Sequence, residues 1–274
     1  HQMIRSLTQP ALTGSAIPAL DNYARQNFLD NILRGGLPIS MPSAAGDIPL
    51  HLYSRRHGDA ERDYNFFDLP ACPLSSGEGN YRDICQNRRS NIWFYPEAGD
   101  AEIRMFVNLL SADGYNPLSI QGYRWTLPES IDAESLCPAC DAEARAAFIK
   151  LVRHPFLPGQ LLSWANFYAI QIPDRLRWLH DFLGRCNTRL MACGHEGGYW
   201  IDHWTYIIDL MEAYTAVYPD RIEQMLTQKA DIEWFFEPAQ VLPRKQKYLR
   251  RKNGPLQLNA VTNTTIMPVP LPPV

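Results

Sequence analysis

The run from Ile201 to Val217 narrows the choice of fold more than any other. Trp204, Ile207, Ile208 and Met211 recur at i, i+3, i+4 and i+7, while Asp202, Thr205, Asp209 and Glu212 fall elsewhere. With one turn per 3.6 residues the first set forms a single stripe, so the run predicts an amphipathic helix that needs a partner to cover it. Pro219-Asp220 ends it and opens a further helix over 220–228. The same period recurs from Ser15 to Arg34 (Ile17, Leu20, Tyr23, Ala24, Phe28, Ile32, Leu33), with Ser15 as N-cap and Gly35-Gly36 as the stop. It recurs from Ala101 to Ala112 (Ile103, Phe106, Val107, Leu110), closed by Asp113-Gly114 and Pro117. Further helices are predicted over Asp141 to Val152, 159–169 and 174–183, separated by Pro155, Pro158 and Pro173. Residues 47–58 and 59–68 read as a helical or mixed pair, and 118–126 as a short strand. Many helices on short connections, with few alternating strands, imply a mainly α fold with short strands in its loops.

A chain of 274 residues, 46% hydrophobic and 20% charged, buries a sizeable core. A net charge of −3 gives no field that would draw it to nucleic acid or anionic lipid, so neither is expected as a partner. No apolar run is long enough to span a membrane, and HQMIRSLTQP lacks the pattern of a signal peptide. The six cysteines then read as reduced thiols, and a cytoplasmic setting is expected. The first residue is not Met and the last ones are MPVPLPPV, which suggests a processed piece or an interior segment of a longer protein. Residues 1–260 are expected to form one helical domain, complete or not, and 261–274 a Pro-rich extended tail. The basic run from Arg244 to Lys252 reads as a solvated face.

Two polar clusters stand out. GNYRDICQNRRSN, from Gly79 to Asn91, places Arg82, Asp83, Gln86 and Arg88 at and after a loop-to-helix junction. Free N–H groups and the positive end of the helix dipole gather there, and Asp83 in the first turn is stabilised and oriented by both. Such a mix of donors and acceptors suits a neutral polyol, whose hydroxyls both donate and accept. The same residues also fit an internal knot of ion pairs and hydrogen bonds between helices. The second cluster, GHEGGYWIDHW from Gly194 to Trp204, repeats the pattern: a Gly-rich loop, then Trp200, Asp202 and His203 at a helix start. Asp202 fits an N-cap equally well, and His203 a packed, hydrogen-bonded histidine. Asp202 and, behind it, Glu196 are the candidate acids or bases.

The chain resembles the large bacterial proteins related to cellobiose phosphorylase, which carry an α/α six-hairpin barrel. The resemblance lies in IPALDNYARQNFLDNILRGG, LYSRRHGDAERDYNFF, GNYRDICQNRRSN, LLSADGYNPLSI, GYWIDHWTYIIDLMEAYTAVYPD and VLPRKQKYL, covering most of residues 15–250. It implies part of an α/α barrel. In the wider glycoside phosphorylases a Tyr-Arg-Asp segment followed by Gln contributes to the sugar subsite at the scissile bond, which implies that role for Arg82, Asp83 and Gln86. A Gly-x-x-Asp-Asp-type segment is similar to Gly198 to His203, with only Asp202 of the acid pair present. The general acid of that family is the Asp of a Trp-Asn-Asp segment, and this chain has none, so the resemblance implies that the acid lies beyond Val274. The role so implied is that of the substrate-binding part of an inverting glycoside phosphorylase or hydrolase acting on a gluco-oligosaccharide. Inorganic phosphate is the co-substrate where the reaction is phosphorolysis, and the remainder of a longer chain, or another subunit, is a further partner.

Cys137-Pro138-Ala139-Cys140 and Cys193-Gly194-His195 together offer four soft ligands. C-x-x-C is half of a tetrahedral zinc site, but C-x-H is not its usual partner, and two unrelated cysteine-bearing loops explain the pattern as well. The competing reading of the whole is therefore a non-catalytic helical binding or scaffold module, with structural zinc at Cys137, Cys140, Cys193 and His195.

Overall fold

The computed structural model describes residues 2–55, 69–112, 114–193, 201, 203–227, 232–235 and 248–257. Segment 59–68 and the tail from 261 lie outside them. Helices α1 (Gln2–Thr8) and α2 (Pro18–Gly35) lead into a hairpin of β1 (Leu37–Met41) and β2 (Ile48–Leu52). Then come β3 (Gly79–Asn80), α3 (Tyr81–Arg88), α4 (Asn91–Phe94), α5 (Ala101–Val107) and β4 (Ser119–Thr126). Next is a helical stretch, α6 (Ala133–Leu136), α7 (Ala142–Val152), α8 (Pro158–Phe167) and α9 (Arg175–Leu183), ending in β5 (Asn187–Cys193). The last elements are α10 (His203–Val217), α11 (Ile222–Thr227) and a hairpin of β6 (Tyr248–Arg251) and β7 (Gly254–Gln257). The protein is mainly α, as the periodicity predicts, and β3, β4 and β5 form an antiparallel sheet in that order. Among the described residues no helix is long and apolar enough to cross a membrane.

Two apolar clusters carry the fold. One packs Trp125, Phe148, Phe156, Leu161, Leu179 and Phe182, so that α7, α8 and α9 close over β4 and the β1–β2 hairpin. The other joins Tyr81, Ile84, Phe106, Ile120, Ile207 and Leu210, and so holds α3, α5 and α10 together. Strand β4 serves both, with Ile120 in one cluster and Trp125 in the other.

Several boundaries differ from the sequence expectation for local reasons. Helix α2 starts at Pro18 rather than after Ser15, because proline at the first helical position loses no hydrogen bond. Asp21 instead accepts from the Ser15 N–H at 3.0 Å and the Thr13 hydroxyl at 2.7 Å. Residues 48–52 form a strand, not a helix, because β1 pairs with them across the full hairpin. The stop after α2 is as predicted: Gly36 takes φ +89°, and a Cβ there would lie 2.7 Å from His51 Cβ. On α10 the buried stripe is His203, Ile207, Leu210 and Tyr214, while Trp204 and Ile208 are 65% and 49% exposed. The helix is rotated from the expected face because His203 finds a hydrogen-bond partner inside.

Candidate functional site

Gly79 and Asn80 pair with Ile120 and Ser119, and α3 begins directly from that edge. A Cβ on Gly79 would meet Ile84 Cγ2 at 2.5 Å, so only glycine allows the chain to turn so close beneath its own helix. The Tyr81 N–H donates to Leu118 O at 2.9 Å. The Tyr81 ring packs edge-on to Phe106, centroids 5.1 Å apart, and its hydroxyl donates to Phe106 O at 3.1 Å. These contacts fix the first turn, which carries the polar pair. Asp83 accepts from Asn80 Nδ2 at 3.0 Å and from Arg82 Nε at 3.1 Å. Its side chain is 9% exposed, against 40% for Arg82. The acid is therefore the buried seat and the guanidinium the half-exposed group above it. Gln86 lies on the exposed face of the same helix.

The second predicted helix start lies beside the first. His203 is buried, with Nδ1 3.1 Å from Asn116 Oδ1. An amide oxygen only accepts, so Nδ1 carries the proton in this contact. Asn116 Nδ2 in turn donates to Pro117 O at 3.0 Å. Segment 116–118 thus holds both N-termini, α3 through Leu118 and α10 through Asn116. Farther along, Arg89 meets Asp209 at 3.5 Å. Tied together at both points, α3 and α10 run side by side in the same direction, and Arg82, Asp83, His203 and the exposed Trp204 sit at one end of the pair. The Trp204 ring centroid is 5.1 Å from that of His203. Asp202, Trp200, Glu196 and His195 lie outside the described residues.

Arg88, expected with the sugar-facing group, is placed in the interior instead. Its Nε donates to Gly35 O at 2.6 Å, its Nη1 lies 3.2 Å from Met105 Sδ, and its guanidinium stacks 5.8 Å from the Phe106 centroid. Burial pulls its pKa down to about 10, opposed by the charge of Glu102. Glu102, 5% exposed, accepts from His51 Nε2 at 2.7 Å and from Asn91 Nδ2 at 2.8 Å. Burial and the Arg88 cation hold the His51 pKa down at about 4. A neutral ring whose Nε2–H points at the carboxylate satisfies all of this. The internal knot anticipated for the 79–91 run thus exists, but at the C-terminal end of α3. Its enclosed cavity, about 10 Å³ between His51, Arg88, Gly77 and Tyr123, has room for about one water and no substrate. His51 and Glu102 were not legible as a pair: they lie 51 positions apart, and no short-range spacing links them.

A groove of about 440 Å³ opens elsewhere, on α6 and α9, between Cys137, Trp178, Arg177 and Asp181. None of the residues selected by the resemblance lines it. Cys137 Sγ and Cys140 Sγ are 3.5 Å apart. The other two proposed zinc ligands, the side chain of Cys193 and all of His195, lie outside the described residues. Among the described residues no group of three or more His, Cys, Asp or Glu is placed to hold a metal ion. Comparisons of the chain with protein-family profiles, with curated proteins and with solved structures give no match.

Proposed function

We propose that the chain is the substrate-holding part of a carbohydrate-active enzyme, an α/α-barrel protein of the glycoside phosphorylase or hydrolase type, acting on a gluco-oligosaccharide with inversion. The observation that carries this reading is the common starting end of α3 and α10, where Arg82 and Asp83 on one helix and His203 and Trp204 on the other lie in the first turns. Arg82 donates to vicinal ring hydroxyls, its fork held from below by Asp83. Trp204, 65% exposed, offers an apolar plane for the face of a pyranose. Asp202, next in sequence to His203, is the second acidic contact. Inversion needs a protonated carboxyl at the leaving oxygen and either phosphate or an activated water on the opposite face. In this reading the remainder of a longer chain supplies that carboxyl, phosphate is the co-substrate of the phosphorolytic case, and the setting is the cytoplasm.

Thermal unfolding with cello-oligosaccharide, with and without phosphate, tests the proposal. A ligand at a hundredfold over its Kd stabilises by about 2.7 kcal/mol, a shift of several degrees. The shift should vanish in Arg82→Ala and Trp204→Ala, both exposed enough to leave the fold intact. No shift in the parent chain, or an undiminished shift in both variants, refutes it. The second reading, a partner-binding helical module, is favoured by the exposed apolar side chains of Ile201, Trp204 and Ile208. It requires self-association or partner capture that Trp204→Ala weakens while sugars have no effect.

A further inference from the structure

The Cys137-Pro138-Ala139-Cys140 turn joins α6 to α7, with Cys137 as the C-cap of α6 and Cys140 just before Asp141, the N-cap of α7. Its two sulfurs face each other at 3.5 Å, close enough for an S–H···S contact and about 1.5 Å beyond a covalent S–S bond. Both thiols are half-buried, and Cys137 borders the 440 Å³ groove, so water and small reagents reach the turn. The two sulfurs are not equivalent. Arg145, one turn into α7, bonds to Glu134 at 2.9 Å and also contacts Cys140. That contact sets Cys140 apart as the sulfur assigned the first attack. Cys137, at the C-cap of α6 on the rim of the groove, is then the resolving sulfur. By contrast Cys85 and Cys186 are fully buried, one in each of the two large apolar clusters.

We propose that Cys137 and Cys140 form a reversible dithiol–disulfide site that exchanges with small-molecule disulfides of the glutathione class. The Cys140 thiolate attacks one sulfur of the disulfide, forms a mixed disulfide and expels one glutathione thiolate. Cys137 then gives up its proton, attacks Cys140 Sγ, forms the internal S–S bond and expels the second thiolate. Two protein thiols are oxidised and one glutathione disulfide is reduced to two thiols, and excess dithiothreitol reverses the exchange.

The experiment treats the folded full chain with oxidised glutathione, alkylates the remaining thiols and maps the peptides by mass spectrometry. The peptide holding both cysteines should lose two hydrogens, resist alkylation and recover with dithiothreitol, while Cys85 and Cys186 stay unmodified until the chain is unfolded. Cys137→Ser should trap glutathione on Cys140, and Cys140→Ser should take it up at Cys137 far more slowly. Persistence of two alkylatable thiols, a bond from either cysteine to another part of the chain, equal glutathione uptake in both single variants, or thiols protected until a chelator is added would each overturn the proposal.

Discussion

Acid should destabilise this protein through His51. The ring is 3% exposed, and burial together with the Arg88 cation holds its pKa at about 4, against 6.5 for a free imidazole, although Glu102 pulls upward. Above about pH 6.5 the ring is neutral in both the folded and the unfolded chain, and its contribution is intact. As the pH falls below that value the unfolded chain takes up a proton that the folded chain refuses, so stability drops. Below about pH 4 both states are protonated and the loss levels off. At about 1.4 kcal/mol per pH unit, the gap sets a ceiling of about 3 kcal/mol, of which about 2.5 kcal/mol is gone by about pH 4.5. Against a total stability of about 5–15 kcal/mol this is a large fraction. Urea unfolding followed by circular dichroism at about pH 7 and about pH 4.5 measures it, with His51→Gln as the comparison. Gln keeps an N–H for Glu102 and does not titrate, and carboxylates elsewhere act on both chains, so their effect cancels in the difference. The parent chain should lose about 2.5 kcal/mol more than the variant on acidification, with no change in m. Equal pH dependence in the two chains would refute the placement of a neutral histidine between Arg88 and Glu102.

Glu102→Ala leaves the buried Arg88 cation without its counter-charge and two donors, His51 Nε2–H and Asn91 Nδ2–H, without their acceptor; a loss of about 3–5 kcal/mol is expected in the same urea assay. Gly159→Ala drives a Cβ into Pro73 O, a backbone atom that cannot swing aside, so a drop of about 3 kcal/mol or more, or failure to fold, should appear in thermal scans. Asp174 caps α9 by accepting from the Arg177 N–H at 3.0 Å, and Asp174→Ala should cost about 1 kcal/mol, read as a shift of a few degrees in Tm.

Elements whose cause is local were legible in the sequence. The helices expected from Asp141 and Asp174 are α7 and α9, capped by those carboxylates, and the 118–126 run is strand β4, while Pro158, expected as a separator, is the first residue of α8. Elements whose cause is a distant partner were not. β2 is a strand because β1 lies against it, and β5 because β4 does. The buried stripe of α10 was displaced for the same kind of reason. Periodicity ranks Trp204 above His203 for burial, but Asn116, remote in sequence, takes the hydrogen bond of the imidazole Nδ1 inside. At the 79–91 run, the sequence located a helix start, which α3 provides at Tyr81, yet spacing could not tell that Arg82 stays half-exposed while Arg88 turns inward.

That difference between the two arginines links the interior to the proposed site. Arg82 and Arg88 lie six positions apart on α3, about 240° around the helix, so they face different sides of a rod barely two turns long. So short a helix has little stability of its own, and its orientation comes from what its ends grip. At the C-terminal end Arg88 grips Gly35 O and faces the Glu102 charge, and Asn91 and His51 hold Glu102 in place. At the N-terminal end Tyr81 is fastened to Leu118 and Phe106. A guanidinium that recognises hydroxyls by direction gains from a seat that cannot tilt, and rigid elements hold such geometry better than loops. The desolvated Arg88–Glu102–His51 cluster is costly to bury, and a well-packed apolar replacement of similar volume could match it in stability. What apolar side chains could not supply is direction: Arg88 ties α3 by hydrogen bonds to Gly35 O on α2 and to Met105 Sδ on α5. Damage to it should therefore tilt α3 and move Arg82, weakening the proposed sugar contact even though none of its members belongs to the proposed site.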